Sequence, residues 1–150
     1  MNRTTRNKIL IWVIALGLVN FAVYTFFYWY LQGDARNGFI EDGQFYLRGH
    51  FIRVRAGRAS AAVSRNWWIY SYIHSISIWP TIGAVLLSML CLARPHIIAT
   101  MPTDSLLTGR TFVNLCAAVV IIVTLANTAL FVWHLVQALQ AANAGMDFGL

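Results

Sequence analysis

Three long stretches of this chain contain no Lys, Arg, Asp or Glu: residues 9–33, 66–93 and 111–146. Each exceeds the roughly 18 apolar residues that mark a helix able to cross a bilayer. The charges crowd into the segments between them. The pattern predicts an all-α membrane protein with three transmembrane helices, over about 9–31, 67–93 and 111–138, forming a single membrane domain across 1–150. Ile9 to Leu31 rises about 34 Å as a helix, enough for a hydrocarbon core of about 30 Å. It is longer than a secretory apolar core and no small-x-small cleavage site follows it, so it reads as a retained span.

Aromatic residues gather at two span ends, Tyr24-Thr-Phe-Phe-Tyr-Trp-Tyr30 and Trp67-Trp-Ile-Tyr-Ser-Tyr72. Rings with a polar tip favour the headgroup level. Pro80 falls near the middle of the second span, where it predicts a kink, and Arg94-Pro95 is expected to end that span. The extramembrane loop, 33–65, holds turn signals at Gly33-Asp34 and Asn37-Gly38. Gln44–Leu47 and His50–Arg55, separated by Arg48-Gly49, predict a small β-hairpin in this loop between the first and second spans. An isolated hairpin is marginal in water, so it is expected to rest on the membrane surface or a partner. Ala59–Asn66 reads as a helical lead-in with Ser60 as a candidate N-cap. The tail after Ala138 is expected to fray.

Composition sharpens this picture. Apolar residues make up 59% and charged residues 11% of the 150, against about 45–50% and 25% in soluble domains. A soluble domain, a disordered chain and a disulfide module are disfavoured. Cys91 and Cys116 fall inside spans without metal-like spacing and read as small buried apolar residues. The net charge of +6 predicts contact with membrane lipids and no nucleic acid, because the basic residues flank spans. An inside N-terminus places Arg3, Arg6, Lys8, Arg94 and Arg110 in the cytoplasm. The reverse places Arg36, Arg48, Arg53, Arg55, Arg58 and Arg65 there. Arg6, Lys8, Arg94 and Arg110 hug their spans, which favours a cytoplasmic N-terminus.

Polar residues inside the spans recur at helical spacing. Gly17, Asn20, Tyr24 and Tyr28 share a face of the first, and Ser71, His74, Ser75 and Thr81 a face of the second. Thr124, Asn127 and Thr128 lie on the third, with His134 further along. Asn20, Thr81 and Asn127 are expected at similar depth. With Ser71 and Ser75 they read as intramembrane polar packing, hydrogen bonds between helices. Ala84 and Ser88 form a small-xxx-small pair, a weak signal for close helix packing. His74 and His134 fall at similar depth in antiparallel spans. Hydrogen bonding to neighbouring helices is the simpler role for them, and ligation of haem b or contact with a quinone is the alternative. Asp34, Glu41 and Asp42, beside the loop arginines, read as solvated pairs or turn caps. No P-loop, GxSxG, HExxH or paired intramembrane carboxylate occurs.

The stretch Ser71-Tyr-Ile-His74 resembles the Ser-x-x-His segment of the membrane-anchor subunits of succinate dehydrogenase, which also have three spans. In that family Arg follows the His, whereas Ser75 stands here. The resemblance implies the redox alternative and assigns no residue. Asp42-Gly-Gln-Phe-Tyr-Leu47 resembles segments of small bacterial membrane proteins, which implies no activity.

Function is therefore expected to be non-catalytic: a small integral protein of a bacterial inner membrane, serving as an accessory or interaction subunit of a larger membrane complex and needing no cofactor. Trp67, Trp68, Arg48, Arg53, Arg55 and Arg58 are the candidate contact residues, since aromatic and Arg side chains are favoured at interfaces. The alternatives are a redox anchor binding haem or quinone near His74 and His134, and a membrane immunity or exclusion protein whose basic loop is the contact.

Overall fold

A computed structural model describes residues 2–49, 60–101 and 106–149. The chain is mostly helical, with α1 (Arg3–Tyr30), α2 (Arg65–Thr100) and α3 (Gly109–Asn143). All three are long and apolar enough to cross a membrane. Between α1 and α2 lies a three-stranded antiparallel sheet of β1 (Asp34–Glu41), β2 (Gln44–Arg48) and β3 (Ser60–Val63), in the order β1-β2-β3. Contacts divide the chain into two compact units, one of Met1–Asn20 with Trp79–Asn127 and one of Phe21–Ile78 with Thr128–Leu150.

Small residues set the helix spacing in the first unit. Gly17 of α1 is buried, and a Cβ there would run into the Val85 side chain and lie 3.3 Å from Thr81 Cγ2. Gly83 of α2 meets the Thr124 side chain of α3 in the same way, at 2.5 Å from Oγ1. Helix α2 does not stop at Arg94-Pro95, as its sequence suggested, but runs through both prolines to Thr100. Each proline forfeits one backbone bond, too little to end a helix whose neighbours on both sides continue it. Thr108 caps α3: its Oγ1 accepts from Thr111 N at 3.2 Å, and its carbonyl accepts from Phe112 N at 2.9 Å.

In the second unit α1 ends in a double backbone lock. Gly33 N donates to Tyr28 O at 2.9 Å and Gln32 N to Trp29 O at 3.3 Å, the Schellman pattern, with Gln32 in the left-handed region that glycine usually fills. The hairpin turns at Asp42-Gly43, not at Arg48-Gly49. Both turn residues have positive φ, 49° and 71°, which the favoured two-residue turn requires and an Asp-Gly pair supplies. Glu41 pairs with Gln44 and Phe39 with Tyr46, whose rings stack at 4.7 Å. The strand expected over His50–Arg55 lies outside the described residues. Within the stretch Ala59–Asn66, expected as a helical lead-in, Ser60–Val63 instead pairs with β2 as β3. Pairing offers this short segment backbone partners from an existing strand, which one helical turn cannot match. The helix cap accordingly moves from Ser60 to Ser64, whose carbonyl accepts from Trp68 N at 3.0 Å and whose Oγ lies 3.5 Å from Trp67 N.

The sheet rests on the chain's own helices. Ile40, Leu47, Ala35, Trp68, Tyr72 and Ala138 form the buried core, with Leu31, Phe45, Val63, Leu135 and Phe148 packed around it. The C-terminal tail does not fray. Gly145, with φ of 67°, turns the chain out of α3, and Phe148 then exchanges two backbone hydrogen bonds with Ile40 on the outer edge of β1. Asp147 Oδ1 also accepts from Asp42 N at 3.0 Å. An exposed strand edge and a buried-side aromatic thus hold a segment whose composition alone gave no reason for order.

Candidate functional site

The polar centre of the second unit is built around Asp34. This carboxylate is 5% exposed. Its Oδ2 accepts from Tyr24 OH at 2.8 Å, and its Oδ1 accepts from Asn37 N at 2.9 Å and Asn37 Nδ2 at 2.8 Å. The bonds to Asn37 stabilise an irregular stretch of β1, where five steps from Asp34 to Phe39 face two steps on β2. The same stretch places Ala35 N against Ser71 Oγ at 3.1 Å, and Ser75 Oγ donates to Ser71 O at 3.0 Å. Asp34 thus caps a turn, as its sequence suggested, but does so buried rather than as one of a set of solvated pairs. Arg36, two residues on, lays its guanidinium over the Phe131 ring at 4.8 Å.

His74 of α2 sits in a cluster of rings. Tyr24 meets it edge-on at 5.5 Å, Tyr70 at 5.7 Å and Phe27 at 6.4 Å between centroids. A cavity of about 10 Å³ lies among Tyr24, Asp34, Ser71 and His74, walled by Phe27 and Tyr70. That is room for one water, so a ring-sized group beside His74 requires these side chains to move aside. His134 is partly buried on α3 and enters none of these ring contacts.

The polar residues of the long apolar helices take different kinds of partner. Asn20 Nδ2 donates to Thr81 Oγ1 at 2.9 Å, joining α1 to α2 in the first unit. Asn127 Nδ2 turns to the Val123 carbonyl of its own helix at 2.8 Å. Ser71 and Ser75 are buried in the second unit. An Asn20→Ala, Thr81→Ala double-mutant cycle is expected to show a coupling of about 0.6 kcal/mol, and at most about 2, read from thermal unfolding in detergent. A coupling of zero would remove this bond from the account. Ala84 is exposed and Ser88 buried, so this pair does not form one open small-residue face. Cys91 is exposed and Cys116 half-buried, and both are free thiols; neither has the full burial their sequence context suggested.

Of the candidate contact residues, Trp67 is 46% exposed, whereas Trp68 is buried at 1%. Trp68 packs on Phe45 and Tyr72 at 5.6 and 5.1 Å; it is a core residue, because the sheet covers the face that the sequence left open. Arg48 is exposed at the end of β2. Arg53, Arg55 and Arg58 lie outside the described residues. The Tyr24–Asp34 pair is the feature that sequence reasoning missed. Its signal was a single acidic residue at the first charged position after a 25-residue uncharged run, three residues before an Asn.

Fold and site together define a protein of three long apolar helices with a small sheet folded onto helix ends around a buried carboxylate. No family model matches the chain, and neither a curated protein nor a solved structure is similar to it.

Proposed function

We propose that this chain is a small, non-catalytic integral membrane protein that works as an accessory or interaction subunit of a larger membrane complex. In this reading the three helices cross the bilayer of a bacterial inner membrane with the N-terminus in the cytoplasm, and membrane lipids and other membrane subunits are the partners. Support for the membrane comes from the helices themselves, whose most apolar windows are 6%, 11% and 0% buried. Apolar surface left open to this degree needs lipid or protein around it.

The observation that carries the subunit role is the set of large rings left open in the second unit. Phe26, Trp29 and Tyr30 of α1 are 57%, 68% and 63% exposed, and Trp67 of α2 is 46% exposed. Trp and Tyr at this density are the residues that anchor protein interfaces. Purification from native membranes in a mild detergent is expected to retain a second chain in fixed proportion. Replacing Trp29, Tyr30 and Trp67 together by Ala should release that chain without unfolding this one. A wild-type protein that purifies alone, or a partner that survives the triple substitution, counts against the proposal.

A further inference from the structure

The cavity beside Asp34 has a chemistry of its own. We propose that it is a binding site for a primary ammonium group, the –NH3+ of an amine or of an ethanolamine headgroup. Three observations carry this. The first is charge: Asp34 is 5% exposed, and among the described residues no Lys or Arg side chain pairs with it. Arg36, the nearest cation in sequence, is turned to the Phe131 ring. A buried carboxylate strongly favours a cationic partner. Its Oδ2 accepts one hydrogen bond, from Tyr24, which leaves acceptor capacity on that oxygen.

The second observation is size. The room is about 10 Å³, that of one water, and an ammonium group is close to water in size whereas a trimethylammonium group is far larger. The third is the wall. Phe27, Tyr70 and Tyr24 line the cavity together with Asp34, Ser71 and His74. Aromatic rings attract cations through their faces, and carboxylate and hydroxyl oxygens accept the directional N–H bonds that an ammonium offers and a bare metal ion does not.

Binding is read as a shift in the thermal unfolding midpoint of the full chain in detergent, titrated with ammonium chloride or ethanolamine hydrochloride. Sodium chloride and choline chloride at equal ionic strength are the controls. Ammonium and ethanolamine are expected to give a saturable rise that sodium and choline do not. Asp34→Asn is expected to weaken the binding at least tenfold. Should that variant fail to fold, the wild type still decides through the series methylammonium, dimethylammonium, tetramethylammonium: affinity must fall steeply after the primary amine. The source is separated in lipid nanodiscs. Stabilisation by phosphatidylethanolamine over phosphatidylcholine assigns the site to the headgroup. Equal stability in both, with a retained response to free ethanolamine, assigns it to a soluble amine. A flat size series, an equal response to sodium, no response to any amine, or an unweakened Asp34→Asn variant each overturns the proposal.

Discussion

Trp68→Ala is expected to destabilise the protein by about 3–5 kcal/mol, the usual cost of deleting a large buried ring. Trp68 is 1% exposed and central to the core that joins the sheet to α2 and Ala138 of α3. Its ring meets Phe45 from the sheet and Tyr72 from its own helix, so truncation opens a cavity between the sheet and α2. Among the described residues its indole N–H has no hydrogen-bond partner. Trp68→Phe therefore loses volume but no polar contact and should cost distinctly less. Unfolding followed by near-ultraviolet circular dichroism in detergent measures both. A Trp68→Ala cost below about 1 kcal/mol would mean that the sheet is not packed on this residue.

Gly33→Ala is the second substitution with a large expected effect. Gly33 has a φ of 150°, which L side chains rarely adopt, and a Cβ there would lie 2.6 Å from both Arg48 O and Gly49 N. Those atoms belong to backbone and cannot swing away. Strained backbone alone costs about 1–3 kcal/mol, and the clash adds to it, so about 3 kcal/mol or more is expected. Gly43→Ala supplies the contrast. Its φ is 71°, but nothing lies within 4 Å of the added Cβ, so only the left-handed penalty of about 1–2 kcal/mol applies. Equal costs at the two positions would contradict the close approach of the α1 exit to β2.

The three long helices were legible because their signal is local and redundant. Any uncharged window of 18 residues in 9–33, 66–93 or 111–146 gives the same reading. Helix ends were less legible. Arg94-Pro95 looks like a stop, yet α2 passes through it, since one lost bond leaves the rest of the backbone ladder in place. The sheet is legible only in part. Gln44–Leu47 reads as a strand, but its hairpin partner is the polar, glycine-containing stretch that begins at Asp34. That stretch shows no clean alternation because its middle is irregular. Val63 and Phe148 join the sheet only through residues far along the chain, and no local pattern announces such pairing.

The candidate site divides the same way. The helix faces carrying Asn20 and Thr81 followed from helical spacing, and those two residues meet. Asn127 shares their stripe but finds a carbonyl one turn back on its own helix, a choice that depends on what the neighbouring helix presents. Trp67 and Trp68 look alike in sequence, yet one is 46% and the other 1% exposed. Adjacent positions on a helix point about 100° apart, and only the folded sheet decides which of them is covered. The burial of Asp34 depends on that same covering and on a tyrosine ten residues earlier.

An alkaline carbonate wash of membranes containing the protein decides whether lipid surrounds the three helices. High pH strips peripheral proteins but leaves helices that cross the bilayer in place. The chain is expected to stay wholly in the membrane pellet and to leave it only with detergent. Recovery of folded protein in the aqueous supernatant would contradict the account.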